Sequence, residues 1–171
     1  PEIPKENIIA EPMAKNTALA MGVATVYAGK KDKEAVVANL PSDHLIQKPA
    51  AFRQALLMAN QAATAGNWLV TIGIKPLFPH TGLGYIHARK KWKKGILKVV
   101  EFTEKPNLAK AKMFIKSGQY FWNAGMYIWS VANGLKAFQT HVPRMAAGLE
   151  KIAEAIATKK ERQVLKEIYD Q

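Results

Sequence analysis

Apolar runs typical of β-strands alternate with helical patterns in the first half of this chain, and this alternation limits its fold more than any other feature. An apolar run at residues 35–40 lies between helical patterns at about 17–28 and 49–65, and another run follows at 68–74. Alternating strands and helices are typical of sheets with helical crossovers. We therefore predict an α/β protein with a mixed, mostly parallel sheet, in which the run at 35–40 is buried on both faces.

The pattern changes in the second half of the chain. Three further strands are predicted, at residues 84–91, 96–103 and 125–131. A short helix separates the last two, with Asn107 as its cap and Gly118 as its end. The periodicity from residue 132 onwards is helical. We predict one partial domain over residues 1–171, with a core at roughly 7–131 and a helical tail at roughly 132–171.

Charge and composition narrow the classes of partner. The formal net charge of +12 favours an anionic partner. The densest basic cluster, residues 89–94, contains one aromatic side chain, whereas RNA-binding strands interleave several for base stacking. We therefore expect a solvated hairpin there, with a nucleic-acid patch as the alternative. The chain has no Cys, which excludes disulfides and fits a reducing cytoplasm, and it has no apolar run long enough for a membrane helix.

Polar and glycine residues follow the predicted strands, where ligands of such sheets bind. Asp43 comes soon after the run at 35–40, so it either binds Mg²⁺ near phosphates or is a helix-cap or turn residue. Gly84 lies in a glycine-rich loop at 81–85. Glycines let the backbone approach a ligand closely, although two glycines in a loop are common. The turn at 11–18 precedes a helix, whose N-terminus favours anions as well as ordinary capping residues.

Two later segments carry further candidates. In FTEKP at residues 102–106, Glu104 can accept hydrogen bonds from sugar hydroxyls and Lys105 can meet a phosphate; the alternative is a surface ion pair. In WNAGM at residues 122–126, the Asn123 amide suits hydroxyls; the alternative is a buried turn residue. The aromatic residues nearby are expected in the core: Trp122, Tyr127 and Trp129.

Six motifs in this order resemble those of the mannose-1-phosphate guanylyltransferases, also called GDP-mannose pyrophosphorylases. The motifs lie at residues 11–18, 40–44, 73–76, 81–86, 102–106 and 122–126. Sugar nucleotidyltransferases in general share the Glu-Lys-Pro element, whereas the residues of the first two motifs are those of the members that use mannose and guanosine. Each motif alone is modest, but six in register are specific.

The resemblance implies a reaction of GTP with α-D-mannose 1-phosphate that yields GDP-mannose and diphosphate, on a Rossmann-like (GT-A-like) three-layer sandwich, with Mg²⁺ as cofactor. Asp43 matches the metal-binding aspartate, and Lys105 the lysine near the sugar phosphate, so these two are the implied catalytic residues. The implied sugar-binding residues are Gly84, Glu104, Lys105 and Asn123. The residues expected near the nucleotide are Glu11, Asn16 and Thr17.

The family also has a glycine-rich loop that cradles the triphosphate and a later aspartate that completes the metal site, and this sequence contains neither. We therefore expect an internal fragment with an incomplete sheet that is inactive alone. We also expect a cytoplasmic protein without membrane segments, and homodimer formation stays open. Three alternatives remain: a related nucleotidyltransferase for another base or hexose phosphate, a non-catalytic regulator that binds sugar nucleotide, and a basic nucleic-acid-binding module.

Overall fold

The computed structural model of the chain describes residues 3–93 and 95–171, and the side chains of residues 90–92 lie outside that description. The helices are α1 (Thr17–Lys31), α2 (Pro49–Thr64), α3 (Leu108–Ser117), α4 (Val131–His141), α5 (Pro143–Ala155) and α6 (Glu161–Tyr169), and a 3-10 turn spans Lys5–Asn7. The strands are β1 (Val36–Asn39), β2 (Val70–Ile74), β3 (Tyr85–Lys93), β4 (Ile96–Thr103) and β5 (Tyr120–Ser130). The predicted α/β class is confirmed.

The five strands form one open sheet in the order β1-β5-β3-β4, with β2 also paired to β5. The pairs β2–β5, β3–β4 and β3–β5 are all antiparallel. The prediction of a mostly parallel sheet is therefore wrong. Only two residues separate β3 from β4, whereas a parallel connection needs a crossover of about a dozen residues or more.

Several element boundaries follow from local chemistry. The Asn107 side chain accepts a hydrogen bond from the Lys110 backbone N–H at 2.9 Å, and Gly118 closes α3 in the left-handed conformation at φ 67°. Both predicted ends of α3 are thus confirmed. Helix α1 continues to Lys31, three residues beyond its predicted end, and strand β1 is not buried on both faces because Ala38 is exposed.

Strand β5 begins at Tyr120, five residues before its predicted start. Asn and Gly at positions 123 and 125 indicate a turn by their intrinsic preferences. In the structure these residues lie inside a continuous strand, because Tyr120 to Trp122 pair with β3. Tertiary pairing therefore overrides the local signal here.

The chain divides into two compact units. The first, called the helical unit, comprises the residues up to 37 with 63–69 and 129–171. Its core is formed by apolar residues of α1, α4, α5 and α6, with Leu149 and Ile152 each about 1% exposed. Helix α1 approaches α5 closely at Gly22, where an added Cβ would lie 2.7 Å from Leu149 Cδ1.

The second unit, called the sheet unit, comprises residues 38–62 and 70–128. Its core joins Tyr85 of β3 to Ala111 and Phe114 of α3, and the half-buried Tyr120 and Trp122 pack against them. The rings of Phe114 and Tyr120 are stacked with centroids 3.7 Å apart. Helix α3 thus anchors the segment of β5 that leads into the candidate site.

In the described part of the chain, no helix has the length and apolarity needed to cross a membrane.

Candidate functional site

A bulge in β5 positions Asn123. On β2, Thr71 pairs with Tyr127 and Gly73 pairs with Asn123, so two positions on β2 correspond to four on β5. Gly125 lies within this bulge at φ 66°, a conformation open to glycine at no steric cost. Its backbone N–H donates to Asn123 Oδ1 at 3.1 Å. Since bulges re-aim side chains, this one holds the Asn123 amide in a defined direction.

Three of the predicted sugar-binding residues converge beside this bulge. The Gly84 carbonyl accepts a hydrogen bond from the Asn123 backbone N–H at 2.8 Å. A Cβ placed on Gly84 would lie 2.6 Å from Glu104 Oε2 and 3.5 Å from Asn123 Cβ. The Glu104 carboxylate therefore occupies the space that a side chain at position 84 would need. The structure thus brings together the glycine before β3, the carboxylate after β4 and the amide on β5.

Lys105 follows Glu104 in a strained backbone conformation. Its φ is 40°, in the left-handed region, and it precedes the buried Pro106. Such a conformation costs about 1–3 kcal/mol in a residue with a Cβ and is typical of functional sites. Within the described ranges, neither Glu104 nor Lys105 has an ion-pair partner.

The segment that carries Asp43 reaches the same bulge. The Pro41 ring lies 3.6 Å from the position of a Cβ on Gly125. Asp43 itself is exposed, and among the described contacts none joins its carboxylate to Glu104, Lys105 or Asn123. No group of three or more His, Cys, Asp or Glu that could hold a metal ion occurs in the described residues. A single exposed carboxylate fits Mg²⁺, which commonly takes one or two carboxylates and completes its shell with water and substrate phosphates.

The three predicted nucleotide-binding residues lie in the helical unit. Asn16 is the N-cap residue of α1, yet its side chain makes no capping hydrogen bond, and Asn16 and Thr17 are both exposed. The ordinary capping alternative is therefore not met. The Glu11 carboxylate accepts a hydrogen bond from the hydroxyl of the buried Tyr169 at 2.7 Å. Burial, and then this carboxylate, raise the pKa of Tyr169.

Sequence reasoning missed one residue of the site. Tyr127, expected in the core, is half-buried, and Asn123 Nδ2 donates to its hydroxyl at 3.0 Å. The spacing of four residues along a strand carries no signal for such a contact, because only the bulge makes it. Trp129 is 5% exposed, which confirms its predicted core position. Trp122 is half-buried, and its Nε1 has no hydrogen-bond partner among the described residues.

The basic cluster at residues 89–94 lies largely outside the described residues. Arg89 is described, and its Nε donates to His87 Nε2 at 2.8 Å. The solvated hairpin expected there, with a nucleic-acid patch as the alternative, therefore stays a prediction.

Comparison with known proteins places this geometry in context. Residues 2–167 match the family described as Nucleotidyl transferase. The xanthan biosynthesis protein XanB of Xanthomonas campestris pv. campestris (strain B100) is 40% identical over 147 residues, which cover 86% of this chain and 31% of XanB. The mannose-1-phosphate guanylyltransferase of Escherichia coli (strain K12) is 37% identical over 158 residues, with 88% and 33% covered. The chain thus spans about a third of the length of these relatives.

The fold is also similar to a solved structure. The crystal structure described as mannose-1-phosphate geranyltransferase from Thermus thermophilus matches this chain with a TM-score of 0.84 at 29% identity. The match covers 95% of this chain and 45% of that one. The similarity therefore extends over both compact units of the chain.

Proposed function

The chain belongs to the nucleotidyl transferase family, and on this premise we propose that it forms the sugar-phosphate site of a mannose-1-phosphate guanylyltransferase. A phosphate oxygen of α-D-mannose 1-phosphate attacks the α-phosphorus of GTP. A new P–O bond forms, the bond from the α-phosphorus to the bridging oxygen breaks, and diphosphate leaves with that oxygen. The convergence of Gly84, Glu104 and Asn123 is the observation that carries this proposal.

Recognition of the sugar rests on groups of opposite hydrogen-bonding character. The Glu104 carboxylate accepts hydrogen bonds from hydroxyls, and the Asn123 amide contributes a donor. Gly84 has no side chain, which leaves room for the Glu104 carboxylate to lie close to it, beside Asn123. A hydroxyl-rich ring is the kind of ligand that this combination suits.

The reaction needs two anions aligned and their repulsion offset rather than a general base. A phosphate monoester has a second pKa near about 6, so the attacking oxygen is mostly ionised at pH 7. Lys105 supplies a positive charge next to Glu104 in the chain, on a backbone at positive φ. Asp43 is the residue proposed to hold Mg²⁺, which when bound neutralises phosphate charge.

The nucleotide is proposed to bind at the start of α1. The first N–H groups of a helix and the positive end of its dipole favour an anion. The Asn16 side chain, which makes no cap, can contribute a further contact there. Glu11 is held by Tyr169 and can accept from a base amino group. GTP specificity is proposed from the mannose-1-phosphate guanylyltransferase relatives.

Binding to residues 1–171 tests the proposal, since we expect little turnover from this segment alone. Calorimetric titration with mannose 1-phosphate should show saturable binding, and glucose 1-phosphate should bind more weakly. Glu104→Gln should weaken mannose 1-phosphate binding by about 10- to 100-fold, because it removes a charged acceptor. Glu154→Gln, an exposed glutamate of α5, should leave the affinity unchanged.

Two other outcomes would redirect the assignment. Tighter binding of another nucleoside triphosphate or hexose phosphate would favour a related nucleotidyltransferase. Salt-dependent RNA or DNA binding, without affinity for any sugar phosphate, would favour a basic nucleic-acid-binding module.

A further inference from the structure

We propose that the Tyr127 hydroxyl positions the Asn123 amide, so that Asn123 meets the sugar as a hydrogen-bond donor and shares one hydroxyl with Glu104. The inference rests on the proposed sugar-phosphate site. It assigns Tyr127 as a positioning residue, since it acts through Asn123. The two side chains are in hydrogen-bond contact within β5.

The orientation of the Asn123 amide follows from its neighbours. A backbone N–H can only donate, so the amide atom 3.1 Å from Gly125 N must be the oxygen. The Asn123 Nδ2 atom then faces Tyr127, 3.0 Å from the hydroxyl oxygen, whereas Oδ1 lies 3.4 Å from that oxygen. Gly125 and Tyr127 together fix which way the amide points.

The bulge makes this contact available. Along a regular strand, residues four apart are separated by about 13 Å. Here Asn123 and Tyr127 pair with Gly73 and Thr71, which are only two residues apart on β2. Inside the bulge, Thr71 Oγ1 donates to the Met126 carbonyl at 3.0 Å. The bulge therefore draws the two side chains together, and β2 holds it in that shape.

The fixed amide has a chemical consequence. Its oxygen accepts from Gly125 N–H at 3.1 Å and from the Tyr127 hydroxyl at 3.4 Å, and one N–H faces the Tyr127 oxygen, so the second N–H is the donor left among the described contacts. Glu104 can only accept. Both side chains lie close to Gly84, since a Cβ placed there would be 2.6 Å from Glu104 Oε2 and 3.5 Å from Asn123 Cβ. A hydroxyl meets both requirements, because it can donate to Glu104 while accepting from Asn123, whereas an ether oxygen can only accept.

The first test needs no ligand. In ¹⁵N–¹H spectra of residues 1–171, Tyr127→Phe should shift the side-chain amide resonances of Asn123. The matched control is Tyr120→Phe on the same strand, whose hydroxyl donates to Glu101 at 3.3 Å, and it should leave those resonances in place. Unshifted Asn123 resonances in Tyr127→Phe would overturn the inference.

A second measurement covers the case in which Tyr127→Phe does not fold. In the unsubstituted chain, the Asn123 side-chain amide protons should show nuclear Overhauser contacts to the Tyr127 ring protons. Their absence would likewise overturn the inference.

Binding then tests the functional consequence. Tyr127→Phe should bind mannose 1-phosphate about 3- to 10-fold more weakly, as expected for one lost hydrogen bond. The unsubstituted chain should reject one monodeoxy mannose 1-phosphate, and this discrimination should shrink in Tyr127→Phe but not in Tyr120→Phe. Unchanged affinity and discrimination would overturn the inference and leave the proposed function intact. Absence of any mannose 1-phosphate binding would instead refute the proposed function, and the role for Tyr127 in sugar recognition with it.

Discussion

The helical unit and the sheet unit treat their buried polar groups differently. In the helical unit, the buried Thr25 hydroxyl accepts from Trp129 Nε1 at 3.0 Å and donates to the Met21 carbonyl at 2.8 Å. In the sheet unit, two buried donors have no partner among the described residues, Asn39 Nδ2 and Trp122 Nε1. An unsatisfied buried donor costs about 1–3 kcal/mol. Among the described residues, the buried side-chain donors without a partner thus lie in the sheet unit, and one of them, Trp122, directly precedes Asn123 in the chain.

Backbone strain shows the same contrast. Each unit has a residue with a side chain at positive φ, Ala157 at 65° and Lys105 at 40°. The N–H of Ala157 donates to Glu161 Oε2 at 2.6 Å, and Glu161 Oε1 accepts from Tyr27 at 2.7 Å, so hydrogen bonds offset that strain. No described ion pair compensates Lys105. The comparison teaches that strain in the sheet unit lies where a phosphate is proposed to bind.

The largest effect on stability is expected in the core of the helical unit. Leu149→Ala should lower the free energy of unfolding by about 2–5 kcal/mol, because it removes a buried side chain and leaves a cavity. Chemical denaturation measures this change. The affinity of the folded chain for mannose 1-phosphate should stay the same. The control is Leu57→Ala, an exposed leucine of α2, and an equal loss in both variants would remove the contrast between core and surface.

The next effect is expected at Lys105. Lys105→Ala and Lys105→Gly should each weaken mannose 1-phosphate binding by about 10- to 100-fold, because both remove the charge. Lys105→Gly should be more stable than Lys105→Ala by roughly 1 kcal/mol, since glycine relieves the strain at positive φ. Titration and thermal unfolding measure the two quantities, with Lys112→Ala as control. Near-normal binding by Lys105→Ala would remove Lys105 from the site.

A pair of glycines sharpens the comparison. Gly22→Ala should destabilise the helical unit by about 1–3 kcal/mol through overpacking against Leu149, without changing mannose 1-phosphate affinity. Gly84→Ala should instead displace the flexible Glu104 carboxylate, which lowers the affinity about tenfold while unfolding changes by less than about 0.5 kcal/mol. Denaturation measures the loss of stability in each variant, and titration measures the loss of mannose 1-phosphate affinity. The contrast fails if both variants lose mainly stability.

The smallest effect is expected at alkaline pH. Burial foremost, and then hydrogen bonds to glutamates, raise the pKa of Tyr27 and Tyr169 above the ordinary value of 10.0. A raised pKa adds stability that is fully present below pH 10 and is lost as pH rises toward the folded-state pKa. Between pH 10 and 11, the buried Tyr169 should account for at most about 1 kcal/mol of lost unfolding free energy, and the partly solvated Tyr27 for less. Tyr27→Phe should flatten this profile, so parallel profiles would contradict the assignment.

Much of the architecture could be predicted because it depends on local signals. Asn107 and Gly118 mark the ends of α3 through hydrogen-bonding capacity and access to positive φ, which any short segment reveals. The helical periodicity from residue 132 onwards predicts the helical tail, which the structure shows as α4, α5 and α6. The order of the motifs likewise indicated the nucleotidyl transferase family, and the resemblance implied Gly84, Glu104 and Asn123 as site residues.

The sequence by itself thus determined the α/β class, both ends of α3 and the chemical types of the candidate site residues. Only the tertiary structure decided the antiparallel direction of the sheet, the bulge in β5 and the contact of Tyr127 with Asn123. The physical reason is the distance along the chain over which each interaction acts. Capping and periodicity act within a few residues, whereas strand direction and register are set by packing between segments about 50 residues apart, such as β2 and β5.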